Sequence, residues 1–269
     1  MMHGSESIER AELEALHALV DEALADRLKL AIHPIGDGIA SVAGALPAST
    51  IVINRVLGCG LDRPFDATWI TEASETFRSA GAARFFFQLH PNARIDGIED
   101  AFAAAGFERA RGWQKFSRGA ADPIDERRTE LMTRRIGPEH GADFARIVCA
   151  AFDLGDNAIP WIAGVPGAPG FHAFMSFDGN TPAGCGAIFI RDNEAWTDFG
   201  ATAPEMRGRG AQSANLAARV RFALAEGCTA IHTCTGEDVP GDPQHSYNNI
   251  KRCGFRETYL RENWAPPKR

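Results

Sequence analysis

Apolar positions recur at Leu13, Leu16, Val20, Leu24 and Leu28, a three-to-four spacing that predicts a helix over residues 7–30 with one buried stripe. Two apolar runs, Gly38–Leu46 and Ile51–Leu57, then read as strands joined by a Pro-Ala-Ser-Thr turn. A helix is expected from about Ala67 to Ala80, with Gly81 as its C-cap. Arg84–His90 reads as a buried strand, Ile95–Ala105 as a helix stopped by Gly106, and Phe107–Arg118 as a long alternating strand. The next stretch, GAADPIDERR over 119–128, is small, charged and broken by proline. It marks the expected boundary between a domain over 1–119 and one over 129–269.

Beyond the boundary, a strand near Glu130–Ile136 precedes a helix from Pro138, a favoured first-turn residue, to Phe152. Ile159–Gly170 is rich in proline and glycine. Phe171–Phe177 and Ala183–Arg191 form a hairpin pattern around Asp-Gly-Asn, continued by Ala195–Ala203. A helix (Ala211–Glu226), a strand (Thr229–Thr235), a helix (Ser246–Cys253) and a strand from Phe255 complete the pattern.

The halves echo each other. FRSAGAARFFFQL (77–89) lines up with FALAEGCTAIHTCT (222–235), and AFAAAGFERARGW (101–113) with IKRCGFRETYL (250–260). Each time a helix runs into a glycine and out into a strand. The chain therefore reads as two copies of one α/β unit.

Length and composition agree: 269 residues suit about two domains, and 45% apolar residues suffice for their cores. With 28 basic against 35 acidic residues, a broad nucleic-acid-binding face is not expected. No apolar run nears the roughly 20 residues of a membrane helix. The acidic, amphipathic start MMHGSESIERAELEAL does not read as a signal peptide. A soluble, cytoplasmic protein without a membrane partner is the expectation. Six cysteines at 59, 149, 185, 228, 234 and 253 show no CxxC spacing, and no HxxxH pair occurs. They read as buried reduced thiols, with no metal site.

The segment that carries chemistry is Ala203-Pro-Glu-Met-Arg-Gly-Arg-Gly-Ala-Gln-Ser213, between a strand and an amphipathic helix. Two glycines in such a loop let successive backbone N–H groups converge, and the helix N-terminus adds positive potential, which suits phosphate. Arg207 and Arg209 add charged donors. A Walker A loop would need Gly-Lys-Ser/Thr, and the dinucleotide fingerprint would need Gly where Ser213 stands. Taken alone, the loop is equally compatible with a solvated Arg-rich turn. RGRG as an RNA-binding element is opposed by the acidic total and the single occurrence.

The order hairpin, strand, RGRGA loop, helix, strand, helix, Gly-Phe, strand resembles the GNAT superfamily of acyl-CoA-dependent N-acyltransferases. Its signature R/Q-x-x-G-x-G/A is matched over five positions by Arg207 to Ala211, with Gln212 at the sixth; Cys253-Gly254-Phe255 matches the family's Gly-Phe before a final strand. The resemblance covers about 130–264 and makes the first half a degenerate copy, as in tandem-domain members. It implies an α/β fold of the α+β type, two tandem domains each with a mixed, largely antiparallel sheet flanked by helices.

It further implies acetyl-CoA as cosubstrate. The pyrophosphate would lie on the amides of Arg207, Gly208, Arg209, Gly210, Ala211 and Gln212, and the pantetheine along Ala201, Thr202 and Ala203 like an added strand. Ser246 and Asn249 would meet the pantetheine or phosphates, and Arg252 the adenosine phosphate. A small-molecule amine would attack the thioester directly, with no protein nucleophile. Family members often carry a tyrosine at the position of Ile250, which leaves Tyr247, one turn earlier, as the candidate acid. Asp198 is the candidate base, with Glu194 and Glu205 as rivals, and Trp161, Trp196 and Trp264 are candidates for an acceptor pocket. The corresponding first-half loop, Gly58-Cys-Gly-Leu-Asp-Arg-Pro64, places Asp62 and Pro64 where donors are needed, so one cofactor site is expected. The alternative is a non-catalytic acyl-CoA-binding or regulatory module.

Overall fold

The computed structural model describes residues 4–125 and 127–267. The chain forms two compact units, Met1–Gln114 with Tyr259–Arg269, and Lys115–Thr258. The last strand therefore contributes to the first unit although it follows the second in sequence.

The first unit begins with α1 (Gly4–His17), α2 (Glu22–Leu28), β1 (Leu30–Ile35) and β2 (Gly38–Ala43). The single helix expected over 7–30 is thus two helices. Asp21 interrupts it by taking an extended backbone and accepting from Leu24 N at 2.8 Å, the competition by which an aspartate restarts a helix. Then come β3 (Arg55–Leu57), α3 (Thr68–Ala80), β4 (Phe86–Leu89), α4 (Ile98–Ala104) and β5 (Glu108–Gly119), which passes into the second unit at Lys115. Only the end of the expected 51–57 strand is extended, because Ile53 N and Asn54 N turn back onto Thr50 O. β1, β2 and β3 pair antiparallel, β3 and β4 parallel, and β4 antiparallel with the returning C-terminal strand through Glu262↔Leu89 to Trp264↔Phe87. Trp264 stacks on Phe102, ring centroids 4.7 Å apart, inside the core built on Phe77 and Phe87.

In α1 the buried face is also charged. Glu6 and Glu9 are buried, and Arg261 reaches them with Nη1 at 3.0 Å from Glu6 Oε2 and 2.6 Å from Glu9 Oε2; Arg55 Nη1 lies 2.9 Å from Glu9 Oε1. The apolar stripe predicted from Leu13 onward continues N-terminally as an ion cluster.

The second unit contains β6 (Met132–Ile136), α5 (Gly141–Phe152), α6 (Ile159–Ile162), β7 (Phe171–Asp178), β8 (Thr181–Arg191), β9 (Glu194–Thr202), α7 (Ala211–Ala225), β10 (Ala230–Gly236), α8 (His245–Arg252) and β11 (Arg256–Ala265), whose terminal part pairs with β4. β6 to β9 form an antiparallel meander, and β10 joins β9 in parallel. α7 and α8 cover one face through Leu216, Val220, Tyr247 and Ile250, packed on Phe116, Ile188, Ala195 and Ile231. Both units thus have the expected order of hairpin, strand, glycine loop, helix, parallel strand and helix. Among the described residues no helix is long and apolar enough to cross a membrane. None of the six cysteines is in a disulfide, and burial pushes the Cys149 thiol up to about 12, the behaviour of an inert apolar filler.

Candidate active site

The site begins where two parallel strands part. β9 and β10 pair only through Glu194↔Ala230, Ala195↔Ile231 and Trp196↔His232, although both strands run on, to Thr202 and Gly236. A bulge causes the divergence. Between the pairs Cys185↔Ala201 and Ala187↔Asp198, β9 carries one residue more than β8, and Phe199 adopts φ 55 there. Arg219 from α7 braces the bulge, its Nη1 donating to Ala187 O and Asp198 O, each at 2.9 Å. Gly186 makes room for it, since a Cβ there would lie 2.6 Å from Arg219 Cζ. Burial lowers Arg219 to about 10, so it remains a cation at neutral pH.

At the open end of the fork the chain enters the glycine loop. Ala203 N still pairs with Ala183 O at 3.0 Å; a 3₁₀ turn, Pro204–Met206, then leads to Arg207. Gly208 (φ 79) and Gly210 (φ 89) take left-handed backbone that favours glycine. Gly210 is the N-cap of α7, and no side chain caps the helix, so its first N–H groups are offered to a ligand. Thr129 Oγ1 holds the loop by donating to Arg209 O at 2.7 Å. Beside the loop lies a cavity of 360 Å³, lined by Asp143 and Arg146 of α5, by Thr202 and Ala203, and by Glu205 and Arg207.

The other expected cofactor residues fall into one hydrogen-bonded chain between the start of α7 and α8. Gln212 Nε2 donates to Ser246 Oγ at 2.9 Å, Asn249 Nδ2 donates to Gln212 Oε1 at 2.5 Å, and Arg252 Nη2 donates to Asn249 Oδ1. Gln212, which departs from the signature, is therefore the link that positions the other three. Arg209 is turned away from the amides, with Nη1 2.6 Å from Asp178 Oδ2, whereas Arg207 is exposed.

The expected catalytic pair is tied up locally. Asp198 Oδ1 accepts from Phe199 N at 2.6 Å, and Oδ2 accepts from Trp196 Nε1 at 3.4 Å, so the carboxylate stabilises the bulge. Tyr247 packs edge-on against Phe116, ring centroids 5.0 Å apart, and burial together with a hydrogen bond to Glu257 pushes its phenol up to about 12. Glu194 pairs opposite Arg191 at the start of β9, away from the open end; Glu205 lines the cavity. Of the tryptophans only Trp196 borders the fork. Trp161 is fully buried, and Trp264 belongs to the first unit's core, which removes it from the pocket.

A polar cluster at the fork escaped the sequence reading. Ser117 Oγ lies 2.7 Å from His232 Nδ1, and Lys115 Nζ sits 4.2 Å from the centroid of the Trp196 ring. These residues alternate along their strands with Phe116, Ile231 and Ala195, which pack under the helices, so the cluster occupies the opposite face of the sheet. Burial, aided by the Lys115 charge, lowers His232 to about 4 and keeps it neutral. In sequence, His232 was one polar residue in a buried strand, and Ser117 lay more than a hundred positions away.

Residues 150–255 match the family model described as the acetyltransferase (GNAT) family. That stretch resembles a GNAT acetyltransferase domain. Solved structures of similar fold extend the likeness to the whole chain. A GCN5-related N-acetyltransferase from Kribbella flavida has a TM-score of 0.66 at 15% identity, covering 100% of this chain and 98% of its own. One from Sphaerobacter thermophilus reaches 0.60 at 12% identity, covering 97% and 91%. A tandem GNAT protein from the clavulanic acid biosynthesis pathway reaches 0.51 at 17%, covering 99% and 97%. No curated protein matches the sequence. The fold is accordingly two GNAT-like units in tandem, and the GNAT acetyltransferase fold supports acyl-CoA-dependent acetyl transfer in general.

The GNAT repeat allows the two glycine loops to be compared. In the first unit the loop between β3 and α3 already holds an anion, its own. Asp37, in the β1–β2 turn, accepts from Gly60 N at 2.7 Å, Asp62 N at 2.8 Å and Arg63 N at 3.2 Å. The second unit's aspartate at the end of β7, Asp178, next to the corresponding turn, binds the Arg209 side chain instead and leaves the loop amides alone.

Proposed function

We propose that the GNAT domain binds acetyl-CoA along the fork and the glycine loop, and transfers its acetyl group to the amine of a small molecule by direct attack. One observation carries the reading: an uncapped helix start behind Gly208 and Gly210 stands at the open end of a parallel strand pair that parts after Trp196↔His232. The N–H groups of 207–212 suit a pyrophosphate, and the free edge at Ala201–Ala203 suits the pantetheine amides. The chain through Ser246, Gln212, Asn249 and Arg252 presents further donors beside them. With Asp37 seated on the first unit's loop, one site per chain follows.

A calorimetric titration with acetyl-CoA tests the binding and should give one site; two equivalent sites, or none, overturn it. A thiol-release assay over a panel of primary amines tests the transfer. A second reading, a non-catalytic acyl-CoA-binding module, draws on Ile250 standing where the family often carries a tyrosine, and on the burial that raises the Tyr247 phenol one turn earlier. Cofactor binding without thiol release for any amine would select it.

A further inference from the structure

We propose that the His232 imidazole is the proton shuttle of this transfer, taking the surplus proton from the attacking amine and handing it to the departing thiolate. The inference rests on the acetyl-transfer reading above and adds the group that moves the proton. His232 forms the last rung of the β9–β10 pair, at the crotch of the fork where a thioester lying between the strands would end. Its residue is 7% exposed, its Nδ1 is held by Ser117 at 2.7 Å, and its Nε2 has no partner among the described residues. A buried ring nitrogen without a partner costs free energy unless a ligand or water takes it up. When Nδ1–H is donated to Ser117 Oγ, the Nε2 lone pair is left as the acceptor.

The other two candidates are occupied. Both Asp198 oxygens accept from N–H groups of its own strand, Phe199 N and Trp196 Nε1. Tyr247 lies in the core on the opposite face, where burial raises its phenol. One imidazole replaces both. The neutral amine nitrogen attacks the thioester carbonyl carbon, forming the C–N bond. The C–S bond breaks, with its electron pair leaving on sulfur. The proton shed by nitrogen passes to Nε2 and then to sulfur, which regenerates the neutral ring. Burial and the neighbouring Lys115 charge make imidazolium unfavourable, so the proton moves on to a thiolate whose ordinary pKa is about 8.5.

The test compares wild type with His232→Gln and Ser117→Ala, after thermal melts confirm that both variants are folded. Acetyl-CoA affinity by calorimetry should be unchanged in all three. Thiol release with n-butylamine, ethanolamine, histamine and spermidine as probes should fall in kcat by ~10²–10⁴-fold in His232→Gln, with KM for acetyl-CoA unchanged. In ¹⁵N-histidine NMR spectra of wild type at pH 7, His232 Nε2 should carry no proton, and Ser117→Ala should shift the ring toward the other tautomer. A protonated Nε2 in wild type, or a His232→Gln variant turning over at the wild-type rate, overturns the shuttle and leaves acetyl transfer standing. Acetyl-CoA binding without thiol release from any probe overturns both together.

Discussion

Asp37 Oδ1 accepts the backbone N–H of Gly60 at 2.7 Å, from a turn 23 positions earlier in the chain. With Asp62 N and Arg63 N on its other oxygen, this carboxylate fills the loop that corresponds to the phosphate cradle of the GNAT domain. The difference between the two copies is thus a matter of which aspartate meets amides and which meets an arginine.

Asp37 makes the first unit's stability sensitive to acid. Burial pushes its carboxyl up, but the N–H groups of Gly60, Asp62 and Arg63 together outweigh this and hold it below the ordinary carboxylate range. A carboxylate depressed in the folded state stabilises above its unfolded pKa, and that contribution is lost as pH falls through the folded one. Asp37→Asn should lower stability at pH 7 by about 1–2 kcal/mol, and the deficit should vanish in acid. Urea unfolding at pH 7 and pH 3 measures it; an equal deficit at both would contradict the assignment.

Gly208→Val should weaken acetyl-CoA binding at least tenfold while the fold survives. A Cβ at Gly208 meets nothing within 4 Å, so the cost is the left-handed backbone alone, about 1–3 kcal/mol. The comparable change at Gly210 is less clean, because its Cβ would lie 3.0 Å from Thr129 Cβ. Calorimetry beside circular dichroism separates binding from folding; unchanged affinity would remove the loop from the cofactor site.

Tyr247→Phe should leave kcat well short of the ~10²–10⁴-fold loss that follows removal of a proton donor. A phenol that burial raises to about 12 gives up its proton reluctantly. A full loss with intact acetyl-CoA affinity would return Tyr247 to the acid role.

Arg261→Met should destabilise the first unit by about 3–5 kcal/mol, since it leaves the buried Glu6 and Glu9 short of a counter-charge. The near-ultraviolet signal of Trp264 stacked on Phe102 should be lost at lower urea than in wild type. A transition at the wild-type midpoint would mean that the cluster contributes little.

Much of this was readable in the chain. The glycines of the loop, the amphipathic stripe of α7 and the Gly-Phe before the last strand are local signals, because backbone freedom and helical periodicity act over a few residues. Local signals failed where a side chain competed with the backbone. The Asp21 side chain restarted the first helix; elsewhere the backbone itself turned, Thr50 O drawing Ile53 N and Asn54 N out of the expected strand. The donor chain through Gln212 was hidden too, since a departure from a motif does not reveal the neighbours it will bond.

The sequence by itself determined that the chain repeats one α/β unit with a glycine loop in each copy, since this follows from the order and spacing of residue types. Tertiary structure alone decided the rest. It placed the last strand with the first unit, set Arg261 on the glutamates of α1, seated Asp37 on the first loop's amides, and brought Ser117 to His232. Those partners are separated by strand pairing and crossovers rather than by helical turns. Whether a titratable group is free or already bonded depends on what folding brings within about 3 Å of it.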